Sequence, residues 1–109
     1  MVYQGAVVQA GGYVVTENFI QQDGIVKTDK FSTYLIPTIL DVPDKVEPLI
    51  LEYADANGPF GARGMAEMPF IPLAPAVTAA FHQATGVWVD RFPLTPERVL
   101  KALKDAEKK

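Results

Sequence analysis

The amino-acid sequence predicts an α+β fold, a small sheet with helices on one face, and three observations carry that reading. Residues 76–85, AVTAAFHQAT, repeat apolar side chains at helical spacing through Val77, Ala80, Phe81 and Ala84, and Gly86 supplies a stop. Thr95, Pro96 and Glu97 have the chemistry of a helix start, and Val99, Leu100 and Leu103 then form an apolar face. Short runs with strand preference, at 25–28, 46–53 and 87–90, lie outside these helices.

Taken in order, residues 5–20, GAVVQAGGYVVTENFI, are compatible with a helix through Val7, Val8, Ala10, Val14, Val15 and Ile20, although several of these also prefer strands. Gly5, Gly11 and Gly12 interrupt either reading. An interior helical glycine costs about 1 kcal/mol relative to alanine, so such glycines usually have a packing reason, here the close approach of a backbone or ligand. Asp23-Gly24 marks a turn, and Ile25 to Thr28 reads as a short strand after it. Pro37 and Pro43 among Phe31, Tyr34, Leu35, Ile36, Ile39 and Leu40 predict an ordered loop that packs by its side chains. Residues 46–53, VEPLILEY, read as a strand whose start Pro48 keeps at an edge. A glycine loop follows, then the helix over 76–85, the short strand VWVD at 87–90, and a capped helix from 95 to about 106. Roughly half the chain is loop and its first element begins almost at Met1. Both points suggest a fragment or subunit that packs on other protein.

The chain has 109 residues, one domain at most, and its 49% hydrophobic and 21% charged content is ordinary globular composition. A net charge of −3 offers no basic field for a phosphate backbone, so nucleic acid is excluded as a partner. Lys101, Lys104, Lys108 and Lys109 are interrupted by Asp105 and Glu107 and read as a solvated helix face. With no cysteine, the chain has no disulfide, thiolate metal site or cysteine nucleophile, and the single His82 cannot build a histidine metal site alone. No run is long enough to span a membrane and the N-terminus lacks the pattern of a signal peptide, so a cytoplasmic protein that does not contact membrane is expected.

The candidate site is the stretch 58–67, GPFGARGMAE. Gly58, Gly61 and Gly64 permit positive φ and close approach to the backbone. The stretch ends in Glu67, followed by the apolar run MPFIPLAPAV. A carboxylate among apolar groups can exchange protons near neutrality, although a glutamate in this place also suits an exposed cap near a helix start. The glycine spacing is not that of a dinucleotide fingerprint, and there is no Gly-Lys-Ser/Thr ending of a phosphate-binding loop. Ser32, the single serine, has no nucleophile elbow around it.

Four stretches, in order and spacing, resemble the C-terminal end of the large, molybdenum-cofactor-binding subunit of the xanthine dehydrogenase/aldehyde oxidase family. They are GAVVQAGGYVVTE at 5–17, TYLIPTILDVP at 33–43, NGPFGARGMAEMPFIPLAPAVTAAFHQATG at 57–86 and PLTPERVLKAL at 93–103. Together they cover nearly the whole chain, as one C-terminal segment, residues 1–109, of a larger molybdopterin-binding domain. The third stretch follows the family pattern Gly-Ala-Lys/Arg-Gly, two residues, Glu and Pro, then a helix ending in Ala-Thr-Gly. Two positions depart from it: Ala66 stands where glycine is usual before the glutamate, and Met68 where proline is usual after it, with Pro69 following. Ala66 would be strained if that position needed positive φ.

The resemblance implies that Glu67 is the catalytic base of a molybdenum hydroxylase, which hydroxylates an aldehyde or a purine-like N-heterocycle at a C–H bond with water as the oxygen source. It implies that Gly64, Met65 and Ala66 run along the edge of a molybdopterin-type cofactor by their backbone, and that Gln9 is a polar contact to it. No side chain of this chain is expected to bind the metal directly. Most cofactor-holding segments of the family lie outside these stretches, so the chain is expected to be inactive alone. Its expected partners are the rest of the large subunit, iron–sulfur and flavin (FAD) subunits or domains, and a small-molecule substrate. The alternative is a non-catalytic interaction module of the same fold that has lost the cofactor. His82 reads as a surface or satisfied histidine, Trp88 and Phe92 as core or subunit-contact residues, and Arg63 as either a surface residue or an anion contact.

Overall fold

The structure, a computed structural model, describes residues 2–108. It contains three helices, α1 (Val2–Val15), α2 (Leu73–Thr85) and α3 (Pro96–Glu107), and a two-stranded sheet of β1 (Gln21–Gln22) and β2 (Ile25–Val26). Short 3-10 turns lie at Ile39–Asp41, Pro59–Gly61 and Met68–Phe70. The α+β class follows, with the sheet reduced to a single hairpin. Its antiparallel register pairs Gln21 with Val26 and Gln22 with Ile25. Asp23 and Gly24 both have positive φ, 50° and 76°, which makes this a two-residue turn of the hairpin-favouring kind.

Residues 46–53 and 87–90 are not strands here: neither has a ladder partner among the described residues. Strand propensity at VEPLILEY is a statement about side chains, whereas a strand exists only when a neighbour accepts its backbone hydrogen bonds.

Helix α1 is the hub. Ala6, Ala10 and Val14, spaced four apart on one face, are the buried hydrophobic residues of the core. α1 packs against α2 and against the Met68–Phe70 turn. Its glycines divide by role. A Cβ on Gly11 would just touch Leu73 of α2, at 4.0 Å, and one on Gly12 would overlap the Pro37 ring and the Glu17 carboxylate, whereas one on Gly5 would meet nothing. The predicted packing reason therefore holds most firmly at Gly12, where the proline-containing loop crosses the helix.

That loop is tied to the end of α1 at a few points, whereas most of the apolar side chains expected to pack it, Phe31, Leu35, Ile36, Ile39 and Leu40, are exposed, because the described residues offer no second layer to cover them. Thr16 Oγ1 donates to the Leu35 carbonyl at 2.7 Å, and the Tyr34 hydroxyl donates to Glu17 Oε2 at 2.6 Å. The latter bond, with lesser help from desolvation and nearby charge, holds the Tyr34 hydroxyl above its ordinary pKa. Thr38 and Asp41 close a reciprocal capping box around the Ile39–Asp41 turn. The C-terminal segment docks on the same end of α1: Leu94 N–H donates to the Val14 carbonyl at 2.7 Å, and Arg98 bridges the Pro93 carbonyl and Asn18.

α2 begins at Leu73, three residues before the predicted run, with Pro75 in its first turn where a missing N–H costs nothing. It ends as predicted: Gly86 adopts φ 73° and donates its N–H to the His82 carbonyl at 2.7 Å. α3 starts with Pro96 at its first position after Thr95 in an extended conformation, but the Thr95 hydroxyl caps no backbone amide. Instead the Glu97 carboxylate receives its own backbone N–H and, secondly, the Thr95 hydroxyl, and both hold its pKa below the usual value.

The chain exposes 8995 Å². A compact monomer of this mass exposes roughly 6,000 Å². Its radius of gyration is 17.6 Å, where about 13 Å is usual for this length. Large apolar side chains account for much of the excess, with Phe31, Ile39, Leu40, Leu49, Ile50 and Phe60 all at least 80% exposed. One short helix face cannot cover 49% hydrophobic content.

Candidate functional site

The glycine loop folds back on the segment before it. Asp55 N–H donates to the Gly61 carbonyl at 3.0 Å, and Arg63 clamps the fold by donating to the Tyr53 and Ala54 carbonyls. Arg63 is thus an internal tie rather than a free cation. Positive φ falls at Phe60 (55°) and Gly61 (78°), and a Cβ on Gly58 would overlap the Ala62 carbonyl. These glycines serve the loop itself. Gly64 does not: its φ is not positive, and a Cβ there would meet nothing within 4 Å. Ala66 also has no positive φ, so the strain anticipated at this substitution does not arise.

From Gly64 to Glu67 the chain is exposed, and among the described residues the N–H groups of Gly64, Met65, Ala66 and Glu67 donate to no other group. Glu67 then stands immediately before the Met68–Phe70 turn, with Pro69 buried beneath it and Phe70 N–H donating to the Glu67 carbonyl at 2.9 Å. Two rungs join this turn to α1. Gln9 Nε2 donates to Glu67 Oε1 at 3.4 Å, and the rings of Tyr13 and Phe70 meet edge to face with centroids 5.8 Å apart. Gln9 and Tyr13 are four apart on one helix face, and Glu67 and Phe70 are three apart on a 3-10 turn, so both partners present matching pairs.

Gln9, Glu67, Met68, Phe70 and Ile71 line an open cleft of about 420 Å³. The structure therefore brings two predicted site residues, Gln9 and Glu67, into one place although 58 positions separate them. Gly64, Met65 and Ala66 form the adjoining backbone. Tyr13, Phe70, Met68 and Ile71 were not singled out by their sequence context. The available signal was the spacing of Tyr13 from Gln9 and of Phe70 from Glu67. The apolar surroundings expected for Glu67 are not supplied by the described residues, since its side chain is exposed beside the cleft.

Among the described residues, no three of the His, Cys, Asp and Glu side chains are grouped so as to hold a metal. A metal beside Glu67 would therefore need ligands from elsewhere, such as a cofactor's own donors. The free backbone donors, and the open space where a Gly64 side chain would stand, fit the edge of a flat polar group. A separate hollow of about 330 Å³ is lined by Trp88, Leu94, Arg98 and Lys101 among others and shares no residue with the Glu67 cleft. His82 lies against Trp88 in a stack 4.0 Å between centroids, which leaves Trp88 66% exposed rather than in the core.

This helix-and-loop arrangement is that of a segment from a molybdopterin-binding enzyme. Residues 3–43 match the family described as molybdopterin cofactor-binding domain. The chain is 33% identical over 100 residues to a probable xanthine dehydrogenase component of Bacillus subtilis, covering 92% of this chain and 13% of that protein. It is 35% identical to the aldehyde oxidoreductase of Megalodesulfovibrio gigas, covering 92% of this chain and 11% of that one. In the crystal structure of quinoline 2-oxidoreductase from Pseudomonas putida 86, a matching segment superposes with a TM-score of 0.85 at 34% identity, over 94% of this chain and 14% of that chain. The chain belongs to the xanthine dehydrogenase/aldehyde oxidoreductase family, and it spans only a small part of the length of these relatives. No helix among the described residues is long and apolar enough to cross a membrane.

Proposed function

We propose that this chain is the C-terminal segment of the molybdopterin-binding subunit of a cytoplasmic molybdenum hydroxylase, and that Glu67 is its catalytic base. The reaction is oxidative hydroxylation of an aldehyde or purine-like N-heterocycle at a C–H bond, with water as the oxygen source. When bound, the molybdenum cofactor supplies the two-electron acceptor and a Lewis-acidic centre. The remaining work falls to the chain's own groups. Glu67 accepts the proton that the water-derived oxygen releases as it attacks an electron-poor carbon. Gln9 occupies Oε1, which leaves Oε2 as the basic atom. The Tyr13–Phe70 contact holds the turn that carries the carboxylate. The backbone of Gly64, Met65 and Ala66 lies along the cofactor edge, its N–H groups available as donors. Electrons leave through iron–sulfur and flavin partners.

The observation that carries this reading is the meeting of Gln9 with Glu67 beside the backbone of Gly64 to Ala66, which has open space at Gly64 and whose N–H groups donate to no other group among the described residues. Glu67→Gln in the assembled enzyme tests it, because Gln keeps the shape but cannot accept a proton at neutral pH. Molybdenum content should be retained while turnover falls on the order of 10²–10⁴-fold, or about 3–5 kcal/mol of barrier. Unchanged turnover per molybdenum would remove Glu67 from the chemistry. A wild-type assembly without molybdenum would favour the non-catalytic interaction module instead.

A further inference from the structure

Residues 46–51 carry strand chemistry without a sheet. Leu49, Ile50 and Leu51 are consecutive, apolar, and 84%, 80% and 63% exposed. Consecutive positions on an extended chain face opposite sides, so both faces of this segment are uncovered. Among the described residues, no backbone hydrogen bond involves the N–H of Val46, Glu47, Leu49, Ile50 or Leu51. The one sheet among the described residues is the β1–β2 hairpin, and it does not pair with them. The segment is anchored at its far end, where Arg63 holds the Tyr53 carbonyl and Asp55 pairs with Gly61.

We infer that residues 46–51 are a β-strand that adds to the edge of a sheet in the remaining polypeptide of the molybdenum-binding subunit, with apolar layers on both faces. The occupant follows from three facts. The chain exposes 8995 Å², some 3,000 Å² more than a compact protein of its mass. Its relatives are several-fold longer, and a matching segment keeps this conformation inside one of them at a TM-score of 0.85. Two apolar faces plus a free backbone require a sheet edge and covering layers, which a flat apolar partner does not provide. Pro48 sets the side of pairing. Backbone groups of successive residues point to opposite edges of a strand, and Pro48 has no N–H, so the uninterrupted donor edge is that of Glu47, Leu49 and Leu51.

The pairing rests on the family reading, but its test does not depend on turnover. Hydrogen exchange on the assembled enzyme, resolved by residue, should find the Leu49 and Leu51 amides protected at least about 100-fold over unstructured chain. A photoreactive side chain in place of Ile50 should cross-link to the rest of the subunit's polypeptide. Free exchange at both amides in an enzyme with full molybdenum content overturns the strand while leaving the family reading intact. Cross-links joining this segment to a second copy of itself overturn the choice of occupant. An assembly lacking molybdenum in which both amides are protected counts against the catalytic reading and still supports the strand.

Discussion

Gly64 is a residue whose identity its own chain does not explain. It needs no positive φ, and a methyl group there would touch nothing within 4 Å. Gly64→Ala should therefore leave the local fold intact. If the backbone from Gly64 to Ala66 borders the cofactor, the same substitution should lower the molybdenum content of the assembled enzyme. Metal analysis per folded subunit checks this, and unchanged loading would place the cofactor edge elsewhere. Gln9→Ala addresses the other half of the site. Its bond to Glu67 is long, at 3.4 Å, and exposed. Its loss is worth about 1 kcal/mol, so turnover should fall roughly fivefold to tenfold with molybdenum retained. A turnover loss as large as that of Glu67→Gln would mean that Gln9 touches the reacting groups directly.

At the scale of the element, the two ends of the helices behave differently. Gly86 is a true helix stop, with φ 73°, so Gly86→Ala should destabilise the end of α2 by about 1 kcal/mol, read as a lower melting temperature. Thr95 looks like a cap in sequence, and its loss would then cost about 1 kcal/mol. In the structure its hydroxyl caps no amide, so Thr95→Ala should move the denaturation midpoint by much less. It should instead move the titration of Glu97. The Glu97 carboxyl lies below its ordinary pKa, by its own backbone N–H first and the Thr95 hydroxyl second. A group with a depressed folded-state pKa contributes stability above its unfolded pKa and loses it as pH falls through the folded value. The first turn of α3 should thus loosen only in acid below the usual glutamate range. Carboxyl NMR should show the Glu97 midpoint rising in Thr95→Ala, and an unmoved midpoint would exclude the hydroxyl as a cause.

At the scale of the whole molecule, surface is the dominant quantity. The chain exposes Phe31, Ile39, Leu40, Ile50 and Phe60 almost fully, and its buried hydrophobic residues are Ala6, Ala10 and Val14. Expressed without the rest of the subunit, it should self-associate and bind dyes that report apolar patches. Light scattering showing a monomer without dye binding would contradict this. It should also carry no stoichiometric molybdenum, because no side chains among the described residues group as metal ligands and the backbone offers one edge of a site rather than an enclosure. Elemental analysis of the purified chain tests that expectation.

The sequence by itself determined the local features. The Asp23-Gly24 turn, the Gly86 stop, the Pro96 start of α3 and the α+β class all depend on φ preferences, a missing N–H or helical periodicity within a few residues. It also placed Gln9 and Glu67 as candidates, through the order and spacing of four family-like stretches. What only the tertiary structure decided were the relations between distant segments. Gln9 meets Glu67 because α1 and the Met68–Phe70 turn share the Tyr13–Phe70 contact. Arg63 turned inward to carbonyls that nothing in its neighbourhood announced. Residues 46–53 have strand-forming side chains but no ladder, because side-chain preference is local while hydrogen-bond pairing needs a second backbone at about 4.8 Å.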